Sequence, residues 1–185
     1  LYRTPSGRTG VQAGFPWFGE WGRDTLISLP GLLLARERVA ECGEALAGLL
    51  PFLRDGLLPN VFASGDGAAA SEAARYNSAD ASLWFAWAVR QFQNAGGSRA
   101  VLLERFRPAL EEIARRYRDG TGCAISATSE GLLRAGTPQT NVTWMDAVTR
   151  NGAVTPRDGL AVDLNALWYF LLAYVEDLAG EAGDR

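Results

Sequence analysis

The sequence contains no lysine and no histidine: all 18 of its basic residues are arginine. Without histidine there is no Ser-His-Asp or Cys-His relay, and no histidine-ligated zinc or iron site. Without lysine there is no Schiff base and no complete Walker A phosphate loop. Two cysteines, Cys42 and Cys123, are too few for a disulfide framework, which predicts a reducing, cytoplasmic setting. The longest apolar runs, near 26–35 and 164–175, stop short of the roughly 18 residues that a membrane span needs. A net charge of −3 argues against nucleic acid as a partner, since its binders carry a basic stripe. Neither a metal nor another cofactor is expected. The chain opens on Leu1 rather than methionine, which leaves room for a natural start upstream. For proton transfer there remain 21 Asp and Glu, with five Tyr and the two Cys as outside candidates. Any catalysis here should be carboxylate chemistry.

What the sequence does have is helical periodicity. At 185 residues, 48% hydrophobic and 21% charged, it is long enough for one globular domain with a sizeable core. In 101–118, Leu103, Phe106, Leu110, Ile113 and Tyr117 recur at helical spacing opposite Arg and Glu, so one face is buried. Residues 163–178 are apolar nearly all round, which predicts a helix buried on every side; 79–95 is of the same type. Residues 24–36 and 39–54 are further helices, with Pro30-Gly31 and Pro51 as expected kinks or breaks. Short links join the first helix to the second and the third to the fourth. Loops of about 25 and about 45 residues precede the third and the fifth, and loops of that length are usually functional. The pattern is helical hairpins in two layers, the first, third and fifth helices inside. It predicts an all-α fold of the α/α-barrel kind, with long loops converging at the starts of the inner helices.

Those loops hold the unusual residues. Residues 13–24 pack Phe15, Trp17, Phe18 and Trp21 beside Glu20, Arg23 and Asp24. Aromatic rings with adjacent Arg and carboxylates can hold a sugar, the rings covering its apolar faces and the charges fixing its hydroxyls. An aromatic cluster with a structural Arg23–Asp24 pair, Asp24 capping the helix, is the alternative. In 76–84, Ser78 suits an N-cap and Asp80 the first turn, a structural role sufficient in itself. Asp146 follows Trp144 and Met145, and such apolar surroundings would disfavour its charge and suit a general acid; a surface Asp beside a half-buried Trp is the other reading. The Asn141–Thr143 sequon is a weak match. Gly65-Asp66-Gly67 reads as a loop tip rather than a phosphate cradle.

Seven stretches together resemble the C-terminal, glucosidase part of glycogen debranching enzymes, the amylo-α-1,6-glucosidase family. They are AGFPWFGEWGRD at 13–24, TLISLPGLLL running on from it, GLLPN at 56–60, YNSADASLWF at 76–85, TWMDA at 143–147, TPR at 155–157 and VDLNALWY at 162–169. The resemblance implies an (α/α)6 barrel and hydrolysis of α-1,6-linked glucose stubs on a glycogen or limit-dextrin chain, with inversion. It implies Asp146 as the general acid, and Arg23 and Asp24 as the grip on the terminal glucose. Trp17, Phe18, Trp21, Asn77, Asp80 and Trp144 follow as further substrate-binding candidates. Asp163 and Asn165 join them, although the family more often has Glu at the first of these positions. A full barrel needs twelve helices and about 400 residues at typical element lengths, so residues 1–185 are expected to be the N-terminal half of the catalytic domain. The general base is then expected beyond Arg185, and part of the inner-helix surface should be exposed. Another α/α-barrel glycosidase, or a noncatalytic carbohydrate-binding helical domain, are the alternatives.

Overall fold

In the computed structural model, residues 1–4, 7–62 and 73–183 are described; the loop tip expected at Gly65-Asp66-Gly67 lies outside them. The fold is mostly α. A two-stranded antiparallel hairpin, β1 (Tyr2–Arg3) and β2 (Thr9–Gly10), opens the chain. Helices α1 (Gly22–Leu32) and α2 (Val39–Ala47) follow as a short-linked pair. Helix α3 (Ala81–Asn94) comes next, then the turn α4 (Arg99–Val101), which runs through a π-helical stretch (Leu102–Phe106) into α5 (Arg107–Asp119). Before α6 (Val162–Ala182) lie two more antiparallel hairpins, β3 (Ser126–Ala127) with β4 (Leu133–Arg134) and β5 (Val148–Thr149) with β6 (Gly152–Ala153). Periodicity could not foresee these strands, because a two-residue pairing has no alternation to read.

The helix boundaries follow local chemistry. Pro30 sits inside α1 and lacks the N–H that a continuing helix would use. The helix stops two residues later, and Leu34–Arg36 tightens into a 3-10 turn that ends at Glu37 with φ 59°. Likewise α2 ends at Ala47, short of the expected Arg54, and Pro51 sits in a separate 3-10 turn, Leu50–Phe52. In the π-helical stretch the Arg107 N–H reaches back to the Leu102 carbonyl, five residues away. The next residue, Pro108, has no N–H to supply an ordinary bond, so the widened turn falls where the ladder is interrupted.

Helix α3 is the centre of the packing, with α1 on one side and α6 on the other; α2 and α5 cover the outside. Its Leu83, Phe85, Ala86 and Val89 have no solvent exposure, and burial of such a Leu or Phe side chain contributes about 1.5–3 kcal/mol. Phe106 stands edge-on to both Phe85 and Phe92, which ties the π-helical stretch to α3. Tyr117 of α5 is fully buried, stacks on Trp168 of α6 and donates its hydroxyl hydrogen to the Ala79 carbonyl at the start of α3. The expectation for α6 needs correction: it is buried on one side only. Val162, Tyr169 and Leu172 are exposed, Tyr169 by 75%, because α6 meets α3 and α5 and, among the described residues, no helix covers its other face.

The N-terminal hairpin is latched by a buried ion pair. Glu20 accepts from Arg8 Nη1 at 2.8 Å, Arg8 Nη2 at 2.6 Å and the Tyr2 hydroxyl at 2.9 Å. The Arg8 guanidinium lies over the Phe52 and Phe62 rings. Burial and the Glu20 charge push the Tyr2 hydroxyl up to about 12. This latch ties the hairpin to Glu20, just before the start of α1. Among the described residues, no helix is long and apolar enough to cross a membrane.

Candidate active site

The starts of the three neighbouring helices α1, α3 and α6 meet at one cleft. Its volume is about 380 Å³, within the range of small-molecule sites, and its lining includes Arg23 and Ile27 of α1, Asp80 and Trp84 at the start of α3, Trp144, and Asp163 of α6. These residues come from segments far apart in sequence: Arg23, Asp80 and Asp163 stand at helix starts, Ile27 and Trp84 one turn further in, and Trp144 in the loop before α6.

Arg23 is the hub. It is buried, and its Nε and Nη2 donate to the two oxygens of Asp80 at 2.7 and 3.0 Å in a bidentate pair. Nη2 also donates to the Thr143 carbonyl at 3.0 Å, and Nη1 to Asp146 Oδ2 at 3.4 Å. Burial opposes the arginine's charge, but Asp80 and Asp146 outweigh it and hold its pKa above the ordinary value. Asp80 is 2% exposed and occupies the N-cap position of α3. It caps nothing, because both its oxygens face Arg23 and Ser78. The Ser78 hydroxyl donates to Asp80 Oδ1 while accepting from the Asp80 and Ala81 N–H groups at 3.3 Å. Two structural expectations are therefore corrected. Ser78 sits two residues ahead of the cap position, and the partner of Arg23 is Asp80, not its neighbour Asp24.

Asp24 is not the helix cap either; that position belongs to Trp21. It stands exposed in the first turn of α1, next to Arg23 and outside the cleft lining. Partial burial of its carboxyl raises its pKa; the Arg23 charge pulls the other way, and the charges of Asp146 and Asp80 add to the rise. Asp146 is half-buried and bonded at one oxygen. Its Oδ2 accepts from Arg23 and from Asn60 Nδ2 at 3.2 Å. The apolar surroundings expected from Trp144 and Met145 are not what it meets: Trp144 is 55% exposed and opens on the cleft.

Arg157 fixes the far side. It donates from Nη1 and Nη2 to Asp163 at 3.0 and 2.7 Å, and Nη1 reaches Thr143 Oγ1 at 3.4 Å. Thr143 is thus held by Arg157 through its side chain and by Arg23 through its carbonyl, three residues before Asp146. The other candidates scatter. Trp17 and Phe18 stand exposed outside the cleft lining, Trp17 by 83%, and Asn77 is exposed. Trp21 is half-buried and bridges to Val61. Asn165 grips the Leu133 backbone, accepting from its N–H at 2.7 Å and donating to its carbonyl at 3.0 Å, which anchors the β3–β4 hairpin to α6. Among the described residues no cluster of Cys, Asp and Glu could hold a metal ion.

Sequence reasoning passed over two residues of this network, Asn60 and Arg157. Both lie in stretches quoted above, yet an isolated polar residue in a loop has no periodicity to mark it. The available signal was a polar residue directly after a proline, in Pro59-Asn60 and Pro156-Arg157.

The chain spans 14% of the length of a relative it matches, the glycogen debranching enzyme of Saccharomyces cerevisiae. The two are 28% identical over 227 aligned positions that take in 91% of this chain. The profile of the amylo-alpha-1,6-glucosidase family matches residues 2–184, and with nearly every residue inside that match the chain belongs to this family.

Proposed function

We propose that this chain is the N-terminal half of an (α/α)6-barrel glucosidase that removes α-1,6-linked glucose stubs from glycogen or limit dextrin, with inversion at the anomeric carbon. The observation that carries the reading is the meeting of Asp146, Arg23 and Asp24 beside a cleft walled by Trp84 and Trp144. Family membership supports a glycosidase, and the absence of histidine and lysine leaves carboxylates to perform the proton transfers.

In this reading Asp146 protonates the leaving glycosidic oxygen. Asp24, carrying a raised pKa, accepts or donates a hydrogen bond at the glucose hydroxyls, and Arg23 supplies positive charge behind it. The indole of Trp144 gives the sugar an apolar face to lie on. Asp80, Asp163 and Asn165 contribute by holding protein groups in place, whereas Trp17, Phe18, Trp21 and Asn77 lie outside the cleft lining. A carboxylate base activates water on the opposite face of the sugar, and it comes from chain beyond Arg185. The bare apolar faces of α6 and α1, at Val162, Tyr169, Leu172 and Ile27, support this reading, since further inner helices would cover them. The free thiols Cys42 and Cys123 fit a cytoplasmic location.

The test is product stereochemistry in the full-length protein. With limit dextrin as substrate, proton NMR during the first turnovers should show β-glucose released ahead of mutarotation. Release of α-glucose would overturn the inverting mechanism, and equal or faster hydrolysis of linear α-1,4-glucans would overturn the linkage assignment.

A further inference from the structure

Asn60 lies at the end of the loop after α2, is 1% exposed, and has no role in the reading so far. Its side chain donates from Nδ2 to Asp146 Oδ2 at 3.2 Å, while its Oδ1 is buried with no hydrogen-bond partner. A buried, half-satisfied amide is unfavourable, and such groups are kept where a function requires them. Here the one satisfied end is the end on Asp146.

The backbone around it is built to put it there. The Gly22 N–H donates to the Asn60 carbonyl at 2.9 Å, and the Asn60 N–H donates to the Arg75 carbonyl at 2.8 Å. A Cβ on Gly22 would lie 2.1 Å from the Pro59 carbonyl oxygen, so only glycine allows the start of α1 and the Pro59-Asn60 segment to approach this closely. Arg23 follows Gly22 and Asn60 follows Pro59. Two locked backbones thereby deliver two N–H donors from neighbouring positions, and both converge on the same oxygen of the same carboxyl.

We propose that Asn60 is a positioning residue for the acid step: with Arg23 it holds Asp146 by Oδ2, so that Oδ1 is the oxygen that carries and delivers the proton. This rests on the reading of Asp146 as general acid. The proton moves from Asp146 Oδ1 to the glycosidic oxygen as the C1–O bond breaks and its electron pair passes to that oxygen. Water adds to C1 and gives its proton to the carboxylate base, which leaves Asp146 ionised with Oδ2 still on its two donors. A carboxyl that loses the Asn60 contact keeps only the longer bond from Arg23, at 3.4 Å, and turns more readily about its terminal torsion, so the proton is delivered less often.

The experiment uses two substrates whose leaving groups differ in their need for a proton. Limit dextrin leaves as a sugar alkoxide and depends on the acid; α-glucosyl fluoride leaves as fluoride and depends on it little. Three substitutions are compared in the full-length protein: Asn60→Leu, which keeps the buried volume and removes the donor, Asn60→Ala, and Asp146→Ala as the reference. Folding of each is checked by circular dichroism and Tm, and kcat and KM are read for the folded fraction. Asn60→Leu or Asn60→Ala, whichever folds as the parent does, should lower kcat on limit dextrin about 10- to 100-fold with KM nearly constant, and change turnover of the fluoride less than about threefold. Asp146→Ala should show the same selectivity more strongly. If Asp146→Ala is selective and the Asn60 variants either keep full dextrin turnover or lose both substrates equally, Asn60 is a packing residue and the positioning role is wrong. If Asp146→Ala itself shows no selectivity, the acid assignment fails, and the role of Asn60 fails with it.

Discussion

At the residue scale, the pair that holds the site together is Arg23 with Asp80. Both are buried, and neither could be left alone in that environment. Replacing Arg23 by Leu strands a carboxylate that is 2% exposed, and breaking a buried pair in this way costs about 3–5 kcal/mol. Urea unfolding of Arg23→Leu should show that loss; one under about 1 kcal/mol would mean that Asp80 finds another partner or water. Asp24 gives the opposite sign. Its raised pKa means that the native state binds this proton more tightly than the unfolded chain does. Stability is therefore lost as pH rises from the ordinary value of 3.8 through the raised one, and the loss is complete above it. Asp24→Asn should melt at or above the parent at pH 7, with the difference vanishing below pH 3.8; a variant less stable at pH 7 would contradict the sign. Arg23 and Asp146 stand out beside aromatic residues, whereas Asp80 and Asp163 enter as site candidates only through the family resemblance. The pairing was not legible, since Arg23 and Asp80 are 57 residues apart and no local pattern joins them. Sequence spacing suggested the adjacent Asp24 instead, which sits on the next residue of the same helix start and looks outward.

At the scale of elements, periodicity found every long helix among the described residues and misjudged how one is used. Helix α3 is the buried centre that its all-round apolar pattern indicated. Helix α6 has a similar pattern and exposes Val162, Tyr169 and Leu172, because a pattern records what a helix can bury and not whether a neighbour is present. The two helices should respond differently to truncation. Phe85→Ala, at a fully buried position of α3, should cost about 3–5 kcal/mol, whereas Tyr169→Ala should stay within about 0.5 kcal/mol in this chain. Paired denaturation curves check both; a large cost at Tyr169 would show that its face is covered in solution. Helix ends were less legible than helix bodies. Proline marked where α1 and α2 falter, but Asp80 at an N-cap position without capping anything is a tertiary effect, imposed by an arginine from another helix. The start of α1 depends likewise on a contact outside it. Gly22→Ala forces the Pro59 carbonyl aside, and the measured result should be a lower Tm together with weakened dextrin turnover.

At the scale of the whole molecule, the starts of α1, α3 and α6 and the loops before them gather at one end, with α2 and α5 packed around the frame. The Arg8–Glu20 latch, the Gly22–Asn60 approach and the Arg157–Asp163 pair each tie one of those loops to the frame. This division explains why the loops could carry recognisable motifs in order along the chain while their spatial meeting stayed invisible in the sequence. It also explains why an arginine-only chain suffices, since every cation in the network acts as a planar, multi-donor clamp on carboxylates or carbonyls. In the proposed reaction everything turns on Asp146 supplying the proton that releases the sugar. The most direct measurement is the turnover of limit dextrin by the full-length protein with Asp146→Asn, beside its affinity for the same substrate. With Asp146 as the acid, kcat should fall by about a thousandfold, within the usual hundred- to ten-thousandfold contribution of a single acid–base group, and binding should stay within about threefold. Retention of more than a tenth of the parent's turnover would contradict that assignment.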